Sequence, residues 1–315
     1  MAPRHLAIVG PTAAGKSDLA LAVARQAGDC EIVSLDAMQV YREMDVGTAK
    51  PSPAERTEIT HHLIDVVDPG DEWSVALAQR EARAAVHDIE ARGCRAVLVG
   101  GSGLYVQAVV DDLTLPVQDL ALRAELEAFT SEPGGLAAAW AELRAADPQA
   151  AARIDEHNQR RIVRALEVVR STGRPFSDFG SGVFEADPAL DVELVGVWRS
   201  RDELAARIAQ RIASMRTDGL EAEVARLDGR LSRSAAQAIG YKELLAARRG
   251  ELTVDAAFDL AERRTRSFAR RQRMWFRRDP RVRWIRPAKG NGANGNAAAA
   301  ADAVLACWRP ECVVR

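Results

Sequence analysis

A parallel α/β sheet flanked by helices, interrupted by an all-helical insertion, is the fold class this sequence predicts, and three observations carry the prediction. The apolar run Leu6 to Val9 ends in a glycine turn and is followed by an alanine-rich helical pattern. The same order recurs where Arg95 to Val99 runs into Gly100-Gly101-Ser102-Gly103 before another helical pattern. Strands that alternate with helices and close in glycine-rich turns build parallel sheets with ligands at the strand carboxyl ends. Between about Pro116 and Ala189 the strand patterns vanish and only helical periodicity remains.

Taken in order, Gly15 to Arg25 sets Leu19, Ala22 and Val23 on one helical face, Glu31 to Leu35 reads as the second strand, and His61 to Asp65 as turn then strand. In the insertion, Leu120 to Thr130, Gly135 to Ala146 and Gln159 to Thr172 read as helices, the last with a buried stripe of Ile162, Leu166 and Val169. Ser171 to Pro175 stops that helix, and Phe176 to Pro188, rich in Gly, Ser and Asp, reads as a returning linker. Val192 to Trp198 alternates like a strand rejoining the sheet, and Asp202 to Arg216, Gly219 to Leu227 and Val254 to Arg278 read as helices. The tail from Pro287 to Ala301 reads as low-complexity loop before a short helix at Asp302 to Trp308. Two domains result: a discontinuous core of 1–115 and 191–315, and a helical insertion at 116–190.

At 315 residues, 47% apolar and 28% charged, the chain is a soluble globular protein with no run of about 18 apolar residues to span a bilayer. The first residues leave no room for a signal-peptide core, so a cytoplasmic location is expected. None of Cys30, Cys94, Cys307 and Cys312 forms a CxxC pair, and all four are read as reduced. Net charge is only −2, yet Arg263 to Arg286 holds eleven arginines and a single acid, Asp279. Distribution rather than total charge therefore admits a nucleic-acid partner.

Gly10-Pro11-Thr12-Ala13-Ala14-Gly15-Lys16-Ser17 matches GxxxxGK[ST] between a strand and a helix. Such glycines let successive N–H groups turn inward, the helix N-terminus and Lys16 add positive charge, and Ser17 can ligate Mg²⁺. A diphosphate is expected there, and the fold class becomes P-loop NTPase-like. Whether it belongs to ATP is a separate question, because the strand Ala96 to Val99 ends in glycine and not in the acid an NTPase would place there. The second strand does end in an acid, Asp36, which could act as Mg²⁺ ligand through water, as general base, or as a turn cap.

Beyond these residues, Asp36 to Pro51, His61 to Asp65, Val99 to Tyr105, Arg164 to Val168, Ile239 to Glu243 and Arg271 to Phe276 stand in series. Together with the phosphate loop they resemble the signatures of the tRNA dimethylallyltransferase (tRNA isopentenyltransferase) family, in that family's order and over nearly the whole chain. The resemblance implies transfer of a dimethylallyl group from dimethylallyl diphosphate to N6 of the adenosine 3′ of a tRNA anticodon. It implies that Gly10 to Ser17 hold the diphosphate, with Mg²⁺ as cofactor on Ser17, that Arg207 is a second cationic clamp, that Asp36 accepts a proton from, or hydrogen-bonds, the amino group, and that Ser102 orients the substrate. Ser102, Ala37 and Met274 depart from the Thr, Ser and Thr usual in the family. Arg207 read without the resemblance is an ordinary solvated helix arginine.

An adenine inside a stacked anticodon loop must be extruded to reach such a site, so RNA-binding surface is required. Arginines 263, 266, 270, 273 and 277 follow helical spacing, with Thr265, Phe268, Gln272 and Trp275 on a separate stripe. Arg270, Arg271 and Arg273 are candidate RNA contacts there, and Arg160, Arg161 and Arg164 with Arg123 in the insertion. By resemblance, Asp36, Ala37, Met38, Gln39 and Ser102 line the base, and Gln237, Gly240 and Tyr241 meet the anticodon loop, although Tyr241 reads equally as core. His61 and His62 lack further ligands at metal spacing, and Trp275 reads as core. The partners expected are the tRNA anticodon stem-loop and dimethylallyl diphosphate, no membrane, with the protein a monomer. A small-molecule kinase, a transferase acting on free adenine nucleotides and a non-catalytic RNA-binding module are the rivals; the first two leave the basic helix unexplained and the third leaves the phosphate loop unused.

Overall fold

Parallel strands covered on both faces must be apolar along their whole length, which is what the short β-branched runs of this chain supply. In the computed structural model, which describes residues 4–116, 118–179, 186–287 and 293–308, β1 (His5–Val9) is buried at every position. It is followed by α1 (Lys16–Ala27), β2 (Cys30–Ser34), α2 (Pro53–Glu58), β3 (His61–His62), α3 (Val75–Ala91), β4 (Arg95–Gly100) and α4 (Gly103–Val110). The insertion contributes α5 (Leu120–Ser131), α6 (Gly135–Ala146), α7 (Pro148–Ala151) and α8 (Gln159–Thr172). The chain returns through β5 (Val192–Val197), α9 (Arg201–Thr217), α10 (Leu220–Leu227), α11 (Tyr241–Arg248), α12 (Val254–Phe276), β6 (Arg283–Ile285) and α13 (Ala293–Trp308).

The six strands form one sheet in the order β3-β2-β4-β1-β5-β6, every pairing parallel. Alternate strand residues serve opposite faces. Ala7, Val9, Val33 and Leu98 pack into one core beneath α3, α4 and the α9 to α12 helices. Leu6, Ile8, Val97 and Val99 pack into another beneath α1 and α13. The described residues divide into two compact units, one reaching Asp111 and resuming at Pro188, the other Asp112–Asp187. The second has its own core of Leu126, Leu143, Ile162 and Leu166 at the junction of α5, α6 and α8.

Five of these elements went unread in the sequence: α2, α3, α7, α11 and the edge strand β6. Helix α3 buries only Ala78, Ala82, Val86 and Ile89, a stripe half made of alanine and therefore weak as a hydrophobic pattern. The tail is corrected too, because α13 begins at Ala293 rather than Asp302; the alanine run has the highest helix propensity of any composition, and Ala300 and Ala301 are buried with Val304 and Trp308. The linker opens with a 3₁₀ turn at Phe176–Phe179. Its positions 180–185, tail positions 288–292 with Lys289, and Cys312 lie outside the described residues.

Candidate functional site

Strand β1 ends at Val9 and the chain curls into α1 through a loop that needs unusual backbone angles: Gly10 has φ 139°, Gly15 φ 95° and Ala13 φ 62°. Both glycines occupy the region that a Cβ disfavours. Three guanidinium groups from the chain after β5 hold this loop. Arg207 Nε donates to the Ala13 carbonyl at 2.6 Å, Arg199 Nε to Ala14 O at 3.3 Å, and Arg211 Nη1 to Thr12 Oγ1 at 3.4 Å. A trans peptide points its N–H away from its C=O; the amide opposite Ala13 O, the Ala14 N–H, is bonded to Pro11 O at 3.3 Å, whereas the amide opposite Ala14 O, the Gly15 N–H, is placed to meet an anion.

Lys16 Nζ donates to Pro11 O at 2.9 Å. Burial pushes its ammonium down from 10.5 to about 8, opposed by the attraction of Asp36 and reinforced by repulsion from Arg211. Burial likewise lowers Arg211, while Asp36 and Asp18 act against that. Lys16, Arg211 and Asp36 thus share one electrostatic neighbourhood, and the topology explains why. Asp36 follows β2, Gly100 ends β4 and Gly10 follows β1; the registers Ser34 with Val99 and Val9 with Gly100 put these three carboxyl ends side by side.

Asp36 Oδ1 accepts from the backbone N–H of Met38 at 2.8 Å and of Gln39 at 3.4 Å. Oδ1 thus caps the turn, and Oδ2 takes no part in that cap. Ser102 is the N-cap residue of α4, yet its hydroxyl makes no capping bond. Ala37, Met38 and Gln39, which follow Asp36 in sequence, are each half-buried, and Gln39 Oε1 accepts from Ser34 Oγ at 2.9 Å.

Helix α12 reaches the same place through Gln272, which the sequence reading set on a packing stripe without assigning it a role. Gln272 is 5% exposed and its Oε1 accepts from the Thr12 N–H at 2.8 Å. A Cβ on Gly101 would stand 2.5 Å from Gln272 Nε2 and 3.3 Å from Lys16 Nζ, so a side chain there would displace the Gln272 amide that meets the loop. Trp275, half-buried, donates through Nε1 to Gln107 Oε1 at 2.9 Å. Arg211 was missed as well, although its spacing of four from Arg207 on one helix was a visible signal.

Ser17 lies exposed in the first turn of α1. Among the described residues no group of three His, Cys, Asp or Glu could hold a metal ion. A hard cation that takes a hydroxyl, a carboxylate and the oxygens of a bound phosphate suits Ser17 and Asp36, because Mg²⁺ is commonly held by few protein ligands plus substrate. His61 Nδ1 bonds to Ile59 O and His62 Nε2 to Glu31, so both serve the sheet edge.

The segment resembling an anticodon-loop contact is partly internal. Tyr241 is fully buried, and its hydroxyl donates to Glu223; burial first, and then that carboxylate, drive its pKa far upward. Gly240 is buried at the start of α11, while Gln237 is exposed and its Oε1 accepts from Lys242 Nζ at 2.7 Å.

The arginine cluster also divides. Arg264 pairs with Glu243, Arg266 with Glu262, Arg281 with Asp111 and Asp279, and Arg283 with Glu193. Arg273 lies over the Trp198 ring at 5.5 Å and Arg271 over Phe268 at 5.9 Å. Arg263, Arg270, Arg271 and Arg277 are exposed. Within the insertion, Arg123 and Arg164 both pair with Glu167, at 2.7 and 2.8 Å, whose side chain is fully buried; Arg160 and Arg161 are exposed.

Comparison with known proteins gives the arrangement a context. A family model described as IPP transferase matches residues 39–279. A tRNA dimethylallyltransferase of Streptomyces coelicolor is 48% identical over 287 residues, 90% of each chain. That of Kineococcus radiotolerans is 48% identical over 294 residues, 91% of this chain and 92% of its own. The solved structure of the full-length tRNA isopentenylpyrophosphate transferase from Bacillus halodurans is similar with a TM-score of 0.68 and 36% identity, covering 97% of both chains. No described helix is long and apolar enough to cross a membrane.

Proposed function

Since the chain belongs to the IPP transferase family, we propose that it is a tRNA prenyltransferase that moves a dimethylallyl group from dimethylallyl diphosphate to N6 of the adenosine 3′ of the anticodon. The observation that carries this reading is that Lys16, after β1, and Asp36, after β2, stand at the carboxyl ends of the two strands that flank β4, with Arg211 of α9 in the same electrostatic neighbourhood. One side of the site suits a departing diphosphate and the other an incoming amine.

Within the loop Gly10 to Ser17 the Thr12 and Ala14 N–H groups are already bonded inside the protein, so the amides of Gly15, Lys16 and Ser17 and the Lys16 ammonium bind the diphosphate, and Arg207, Arg211 and Arg199 hold the loop around it. As the allylic carbon–oxygen bond breaks, negative charge gathers on the leaving oxygen, where fixed positive charge lowers the barrier. The N6 lone pair forms the new carbon–nitrogen bond, and its proton passes to Asp36 Oδ2. Ser102 orients the adenine through its unused hydroxyl. Ser17, with phosphate oxygens, would hold Mg²⁺, which would supply further charge neutralisation when bound. The inserted domain, through Arg160 and Arg161, and α12, through Arg270 and Arg271, grip the RNA backbone, with Arg273 beside them. The enzyme works on its substrate in the cytoplasm as a monomer.

The test is incubation with Mg²⁺, labelled dimethylallyl diphosphate and either unmodified tRNA or AMP. Label in tRNA alone is expected. Label only in AMP, or none in either, rejects the reading.

A further inference from the structure

Glu223, near the middle of α10, is 2% exposed and receives four hydrogen bonds. Its Oε2 accepts from the backbone N–H of Asp45 at 3.0 Å and of Val46 at 2.8 Å. Its Oε1 accepts from Gly47 N–H at 3.1 Å and from the Tyr241 hydroxyl. A buried carboxylate with this many donors is held in one orientation and holds them in turn. The fit is close: a Cβ on Gly47 would come within 2.3 Å of the Tyr241 ring.

Immediately after Gly47 the chain borders the reaction site. The Thr48 carbonyl accepts from Gln39 Nε2 at 3.2 Å and from Arg211 Nη2 at 3.4 Å. Arg211 reaches the phosphate loop at Thr12, and Gln39 is tied by its own N–H to Asp36. One carboxylate on α10 thereby fixes a turn whose next carbonyl spans both halves of the site.

Resting on the prenyl-transfer reading, we infer that Glu223 is a positioning residue for that reaction, and that Tyr241 serves it from within the core instead of touching RNA. The pair makes Gly47-Thr48 a rigid strut between Gln39 beside the nucleophile and Arg211 beside the leaving group. This assigns a shared task to two sequence segments, Gly47 to Pro51 and Ile239 to Glu243, that lie some 190 positions apart in the chain.

The experiment compares the wild type, E223Q and Y241F in the full chain. Amide hydrogen exchange over the peptide containing residues 44–49, melting temperature, tRNA affinity without donor, and kcat and KM for both substrates are measured. Glutamine turns an NH₂ toward donors, so E223Q should speed exchange in that peptide and lower kcat about 10- to 100-fold, with tRNA affinity within about 2-fold. Y241F, which keeps the ring, should lower kcat about 3- to 10-fold in the same pattern. Weaker tRNA binding with kcat preserved in Y241F would make the tyrosine an RNA contact and overturn the inference. Variants that lose melting temperature alone, with exchange at 44–49 and kcat unmoved, would overturn it equally. Should E223Q not fold, Y241F decides by the same criteria. The exchange arm needs no substrate, so failure of the wild type to prenylate tRNA would sink the functional reading while leaving the strut itself measurable.

Discussion

Replacing Lys16 with methionine should make the free protein more stable while destroying its grip on diphosphate. The Lys16 ammonium falls from 10.5 to about 8 in the fold, which at about 1.4 kcal/mol per pKa unit is a cost of about 3 kcal/mol at pH 7. The sign comes from linkage. Between about pH 8 and 10.5 the unfolded chain binds the proton more tightly than the native one, so native stability rises with pH in that window and bears the full cost below it. Methionine has similar length and no charge, but its introduction also forfeits the Lys16 hydrogen bond to Pro11, worth about 1 kcal/mol. Lys16 keeps some surface in contact with water, so a net gain of roughly 2 kcal/mol is a ceiling. Urea unfolding of wild type and K16M at pH 7 and pH 10 reads it directly: the variant leads at pH 7 and the gap closes by pH 10. Inorganic diphosphate at about 100 times its Kd should stabilise the wild type by about 2.7 kcal/mol and K16M hardly at all. A variant less stable at pH 7, or a gap of equal size at both pH values, would refute the reasoning.

The same geometry sets further outcomes. D36N should keep tRNA affinity within about 2-fold and lower kcat about 10²- to 10⁴-fold, measured in single turnovers with saturating RNA; large loss of binding would make the residue structural. Q272L removes the partner of the part-buried Thr12 N–H and should raise the donor KM roughly 10-fold with tRNA affinity unchanged, and an unaltered donor KM would remove Gln272 from the loop's support. R160A/R161A should reduce the slope of log affinity against log salt by about 2 while kcat at saturating tRNA holds; an unchanged slope would mean that neither arginine meets phosphate.

The phosphate loop was legible because its determinants are contiguous: glycine at two fixed positions, then Lys16 and Ser17, between an apolar run and a helix. Asp36 was legible because it ends a strand, and parallel topology alone carries it to the same edge. Arg211 and Gln272 were not, because their nearness to the loop depends on β5 pairing with β1 and on α12 docking, neither of which is written locally. Tyr241 illustrates a different limit. Its place in a recognisable motif suggested contact with RNA, whereas burial against Glu223 is decided by α10, whose acidic residue looked like any other helix glutamate. Arg123 shows the same thing in the insertion, since the Glu167 that engages it lies well onward in the chain, on α8.

Strand β1 lies between β4 and β5, and its pairing with β5 joins Val9 to Gly196. During synthesis one edge of the strand that precedes the phosphate loop therefore stays without its partner until the entire helical insertion and Val197 have left the ribosome. An apolar strand with an open edge is a template for wrong pairings. The nascent amino-terminal half must be shielded over that interval, so lengthening the insertion would delay closure and should reduce soluble yield even where the finished enzyme is unaffected.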